Sequence, residues 1–324
     1  MKRAILLASF LAAPATAHSD GAAPVLPGWS FEPWALIPLA LSLALYLVGL
    51  ARLLRRADHS QPAIRRNAIL FLLGWLALAG ATMSPLHEGG ERSFTLHMLE
   101  HELIMLLAAP LMALSRPLGV MIWALPPVGR IAVSGWARGG AVYWLWRHAT
   151  APVSATIVQI AVIWLWHAPL LFELALHHEG WHFAQHVCFF VSALLFWWAM
   201  VFGRAGTNGY GVAALCLFAT SLAGGGLGAL MTFAISPWYA DYASMGMGLF
   251  GLTPEEDQQL AGLLMWIPGG MVHAGAALIL LMRWLAAPTS RRETNRSAGV
   301  EYLWQSQQQL DHAVQARATD TPRC

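Results

Sequence analysis

His97-Met-Leu-Glu-His101-Glu-Leu-Ile-Met105 opens an apolar run that continues through Leu106, Leu107 and Pro110 to Leu114. Two histidines and two glutamates stand where a bilayer demands aliphatic side chains. On a helix His97 and His101, spaced i,i+4, share a face, and Met105 extends the same stripe. Glu100 lies beside it, within about 60° of His97 at roughly 100° per residue. Ionisable groups inside a membrane segment are costly and mark functional sites. Two imidazoles one turn apart can hold a metal ion or a haem iron.

Composition places that run in a membrane. The chain has 324 residues, of which 57% are hydrophobic and 11% charged, whereas a soluble domain carries about 25% charged residues. The expected fold is an all-α, polytopic transmembrane helical bundle. Lys2 is the only lysine, so the net charge of +2 is no signal for nucleic acid, and the positions of the arginines matter more. Cys188, Cys216 and Cys324 form neither a disulfide framework nor a CxxC motif, which reads as structural thiols.

From the N-terminus, residues 1–17 read as a secretory signal: Lys2-Arg3, an apolar core from Ala4 to Ala13, and the small-residue pattern Ala15-Thr16-Ala17. Cleavage there would leave His18 as the new N-terminus of a periplasmic segment, residues 18–33. Its amine and imidazole could then chelate Cu(II). Seven apolar runs of roughly the 20 residues needed to span follow within a membrane domain, residues 34–285. They are Trp34–Leu50, Asn67–Met83, Phe94–Leu114, Val153–Leu176, His182–Phe202, Gly211–Phe233 and Gln258–Trp284. The Gly119–Thr150 segment, with Trp123, Trp136, Trp144 and Trp146 among Arg130, Arg138 and Arg147, reads as interfacial and amphipathic. Residues 286–324 form a polar tail.

The arginines orient this bundle. With seven spans, Arg52, Arg55, Arg56, Arg65, Arg66, Arg116, Arg130, Arg138, Arg147, Arg204, Arg283, Arg291, Arg292 and Arg296 fall on one side, and Arg92 alone on the other. The positive-inside rule then predicts an outer N-terminus and a cytoplasmic C-terminus, and the signal-like start demands the same. His59, His148 and His312 fall on the cytoplasmic side. His18, His87, His97, His101, His167, His177, His178, His182 and His186 fall at or near the outer face.

Depth singles out five of these. At 1.5 Å per residue, His97 and His101 lie about 5 and 10 Å into the third span, His167 about 7 Å from the exit of the fourth, and His186 about 6 Å into the fifth, which His182 opens. If those three helices are neighbours, two HxxxH pairs and a third histidine form one layer. The expected metal ligands are His97, His101, His167, His182 and His186. Glu100, Met105, Asp257, Met265, His273 and His18 are further candidates. Imidazoles suit copper or zinc, and thioethers shift preference toward Cu(I). Farther along, Thr253-Pro-Glu-Glu256 reads as a capped helix start, with Glu256 at the capping-box position. There is no nucleotide loop, no GxSxG and no HExxH, because Met105 stands where the second histidine would be. No enzymatic signature competes with metal or haem binding.

Three motifs also resemble a known family. His97-Met-Leu-Glu-His101 runs into Ala109-Pro110-Leu111 and Arg116-Pro117. Trp164-Leu-Trp-His167-Ala-Pro169 precedes Glu173 and the His186 segment ending Phe196-Trp197-Trp198. The most specific is Asp257-Gln258-Gln259-Leu-Ala-Gly262-Leu-Leu-Met265-Trp266-Ile-Pro268-Gly269-Gly270. Together they are similar to the CtaG family of assembly factors for caa-type cytochrome c oxidases, over roughly Trp34 to Trp284. The resemblance implies a multi-pass protein of the bacterial inner membrane that works on haem–copper oxidase subunits, with copper handling as the expected role. Periplasmic copper chaperones would be its suppliers. Three other readings stay open: a haem-binding membrane electron carrier, a copper permease, and an assembly scaffold that binds no metal.

Overall fold

The computed structural model describes residues 27–56, 61–203, 209–248 and 250–286. The signal-like start, His18, His59, Arg204, Arg291, Arg292, Arg296, the polar tail with His312, and Cys324 lie outside the described residues. Within them the regular structure is helical throughout. Six helices are long and apolar enough to cross a membrane, or seven if one bent pair counts as a single span.

The first two spans are α1 (Pro33–Leu54) and α2 (Gln61–Met83). A short α3 (Pro85–Gly90) follows, capped by Ser84, whose hydroxyl accepts from the Leu86 amide. The third span comes in three pieces: α4 (Phe94–Glu102), a π-helical stretch (Leu103–Ala108) and α5 (Ala109–Ser115). It is the most buried of the spans and packs against α2 and against two later spans, α11 (Glu179–Phe202) and α14 (Pro254–Leu285).

The π stretch has a local cause. In that register the Ala109 amide bonds to the Ile104 carbonyl, five residues back. The next donor would come from Pro110, which has no N–H, leaving the Met105 carbonyl without its helical partner. Trp197 of α11 fills the gap, donating from its indole to that carbonyl at 2.9 Å. At Arg116 the chain takes the left-handed conformation (φ 52°) and turns into α6 (Pro117–Met121).

Between α6 and the fourth apolar run, α7 (Pro127–Ala137) and α8 (Gly140–Ala149) contain no buried residue. The fourth run, expected as one helix over Val153–Leu176, is instead two. Helix α9 (Pro152–Trp166) stops at His167, and α10 (Pro169–His177) starts afresh. Pro169 is the reason: the residue before a proline is driven out of the helical region, and Ala168 sits at ψ 130°. At 15 residues, α9 is about 22 Å long, short of the roughly 30 Å hydrocarbon core. Helix α8 meets it at a bend of 68°.

The last two spans are α12 (Gly209–Thr232) and α14, with α13 (Ala240–Ser244) between them. Helices α12 and α14 press backbone to backbone. A Cβ on Gly228 would lie 2.6 Å from the Gly262 carbonyl, and one on Gly262 2.5 Å from the Gly228 carbonyl, the small-residue packing of membrane helices. The capping box at Thr253 forms as the sequence predicts, in both directions, at 2.9 and 3.3 Å.

A histidine layer and an inner cavity

Six imidazoles meet at one end of the bundle. His97 and His101 come from α4, His182 and His186 from α11, His167 from the C-terminal cap of α9, and His87 from α3. All but His182 are buried. Ring centroids lie 4.5 Å apart for His97–His101 and 4.4 Å for His182–His186. Across helices they lie 5.3 Å apart for His97–His182 and for His101–His186, and 6.2 Å for His101–His167. The predicted convergence of the third, fourth and fifth runs therefore exists, and all five primary candidates share it.

His87 is the member that sequence reasoning left out of the ligand set. Its ring is 5.2 Å from that of His182 and 5.7 Å from that of His186. One nitrogen from each of His87, His182 and His186 lies within 4.8 Å of the others. A tetrahedral ion with bonds near 2.0 Å wants its nitrogens roughly 3.4 Å apart, so small side-chain rotations would close the set. His87 follows neither the HxxxH spacing nor an apolar run. Its placement on the outer side was the available signal.

Hydrogen bonds orient the rings. The His87 Nδ1–H donates to Glu100 Oε1 at 2.9 Å, and the same oxygen lies 3.4 Å from His186 Nε2. Glu100 is wholly buried, so it acts from between two of the rings. Burial disfavours a charged His87, but the hydrogen bond and charge of Glu100 outweigh it and hold its pKa above the ordinary value. His167 donates from Nδ1 to the Ile163 carbonyl at 2.6 Å. The Tyr242 hydroxyl donates to the Gly90 carbonyl at 2.5 Å, which leaves its oxygen to accept from His97 Nδ1 at 3.3 Å. In a neutral ring each such bond occupies one nitrogen and leaves the other as a lone pair, so His87 must give up a proton before it can take a metal, whereas His97 and His167 are already oriented for one. Buried Nε2 atoms of His97, His101, His167, His182 and His186 have no hydrogen-bond partner among the described residues.

The connection between α12 and α14 covers this layer. Tyr239 donates to the His167 carbonyl at 2.9 Å, and the Ala240 amide donates to Glu173 Oε1 at 2.9 Å. On its flank the layer meets a cavity of about 250 Å³ between α1, α2 and α11, to which His87, His182 and His186 contribute. His177 and His178 stand apart; exposed His177 pairs with Asp241 at 3.1 Å.

The further candidates separate. Asp257 faces the start of α4, accepting from Ser93 Oγ, Phe94 N and Thr95 N at 3.0, 2.7 and 3.1 Å. That is a cap on a helix N-terminus, and it sets the height at which α4 carries its histidines. Met105, Met265 and His273 line a smaller cavity farther into the bundle, of about 30 Å³, together with Glu102 and Gln159. Glu100 alone of the described additional candidates belongs to the histidine layer.

A multi-span helical bundle with a buried layer of clustered imidazoles is thus the class of protein the fold and site define. The chain belongs to the cytochrome c oxidase caa3 assembly factor family, CtaG, whose sequence profile matches residues 44–287. Two uncharacterized mycobacterial proteins, from Mycobacterium bovis and Mycobacterium tuberculosis, are each 29% identical over 183 residues. The match covers 55% of this chain and 27% of each relative, so the chain spans about a quarter of their length. No solved structure matches it.

Proposed function

We propose that this assembly factor holds copper transiently in its histidine layer and passes it to a subunit of the haem–copper oxidase. The observation that carries the reading is the set of six clustered imidazoles, with His87, His182 and His186 already within 4.8 Å of one another. Buried polar atoms without partners are costly, and five rings keep an Nε2 with no partner among the described residues. An ion bound among them would offset that cost. The cavity beside His87, His182 and His186 offers a route for loading and release.

The arginine distribution supports an orientation with this layer at the periplasmic side of a bacterial inner membrane. Copper would then arrive from periplasmic chaperones. Haem is the weaker alternative, since rings 4.4 to 6.2 Å apart fill the space a porphyrin would need between two axial ligands.

The test is metal and haem content of the purified full chain, compared with His182→Ala/His186→Ala. Copper near one equivalent per chain or more, reduced by about one equivalent in the variant, supports the reading. A Soret band would move the assignment to a haem carrier. Neither ligand, with oxidase assembly failing in a deletion strain, would leave a metal-free scaffold.

A further inference from the structure

The inner cavity has a chemistry of its own. Met105 and Met265 bring two thioethers, both buried. His273 donates from Nδ1 to the Gly269 carbonyl at 2.7 Å and stacks on Trp197 at 18°, which fixes the ring and leaves Nε2 as a lone pair. Glu102 Oε2 is fully enclosed and has no hydrogen-bond partner among the described residues; neither does Gln159 Oε1. Gly269 faces that carboxylate, and a Cβ there would stand in ordinary van der Waals contact with Glu102 Oε2, at 3.5 Å. The Gln159 side-chain amide donates to Met105 Sδ at 3.4 Å and so tethers one thioether.

Three properties select an occupant. Two thioethers and an imidazole favour a soft ion. One carboxylate in a low-dielectric interior is neutralised by a single positive charge, whereas a divalent ion would leave a net charge there. A cavity of about 30 Å³ has the volume of one water molecule or one small ion. We infer that the cavity is a second metal site, selective for Cu(I), lying one helical turn inside the histidine layer.

The stripe His97, His101, Met105 links the two sites, because His101 and Met105 are one turn apart on the same face, about 6 Å along the axis. The widened π turn begins between them. Copper moving from one site to the other as Cu(I) requires no electron transfer. The ligand set of the inner site stands alone; only the source of its ion rests on the proposed role of the histidine layer.

The experiment loads the full chain in nanodiscs with Cu(I) anaerobically, then records stoichiometry and the copper K-edge X-ray absorption spectrum. Wild type should bind two equivalents with sulfur scatterers in the first shell. Met105→Leu/Met265→Leu, which keeps side-chain volume, should lose one equivalent and the sulfur shell. His182→Ala/His186→Ala should lose the other and keep the sulfur shell. A wild type with nitrogen and oxygen scatterers only, or a leucine variant unchanged in both readouts, overturns the inner site. A histidine variant that loses nothing while the leucine variant loses its equivalent overturns the copper role of the layer and leaves the inner site standing.

Discussion

The histidine layer and the inner cavity lie on the same helix stripe but are built differently. The layer gathers six imidazoles from four helical elements at one end of the bundle, beside a cavity of about 250 Å³. The inner site has one imidazole, two thioethers, a carboxylate and a carboxamide around about 30 Å³. Two glutamates two residues apart divide between them. Glu100 turns to His87 and His186, and Glu102 turns to the cavity. Residues i and i+2 point to opposite sides of a helix, so one segment serves both places. The difference teaches that the donor type changes with position along the stripe: imidazole nitrogen near the open end, thioether sulfur farther in.

Replacing ligands in the layer should separate the two regions most sharply. His182→Ala/His186→Ala is expected to weaken copper binding at that site by more than the roughly 10–100-fold that outer-shell changes cost, measured by competition with a chelator of known affinity. Retention of full affinity would break the contrast, because the layer would then be packing alone. Glu100→Gln removes the charge behind His87 and should cost about 10–100-fold in the same competition, with the inner sulfur shell unaltered.

Asp257→Ala touches neither site's ligands. Loss of the cap on α4 should lower stability by about 2 kcal/mol, read from a denaturant or thermal midpoint, while copper stoichiometry stays the same. A lost equivalent would show that the cap sets ligand height closely enough to matter for binding. Trp197→Phe is the smallest change. It removes the indole bond to the Met105 carbonyl, costing about 1 kcal/mol, and should loosen the boundary between the two sites. A weakened inner site with an intact layer is the expected pattern in the copper competition.

Much of this was legible in the chain. Hydrophobic runs of the right length located the six long spans to within six residues, and Thr253-Pro-Glu-Glu256 announced the start of α14 because capping is local chemistry. The two HxxxH pairs and His167 were placed at one depth by counting residues. His87 was not placed in the cluster, since α3 reaches the layer through tertiary packing against α4 and α2. The break at Pro169 was passed over because hydropathy continues across it while backbone geometry does not.

The sequence by itself determined that the chain is a bundle of long apolar helices able to cross a membrane, and it predicted, from seven spans, that histidine and arginine segregate to opposite ends. Composition and 3.6-residue spacing act over short stretches of chain, so both features can be read without a fold. Only the tertiary structure decided which candidates share a site. It brought His87 in, gave Asp257 to a helix cap, and assigned Met105, Met265 and His273 to a separate cavity. Those outcomes depend on which helices touch and how each is rotated, and the close approach of Gly228 to Gly262 and the bond from Trp197 to Met105 are contacts between residues far apart in the chain.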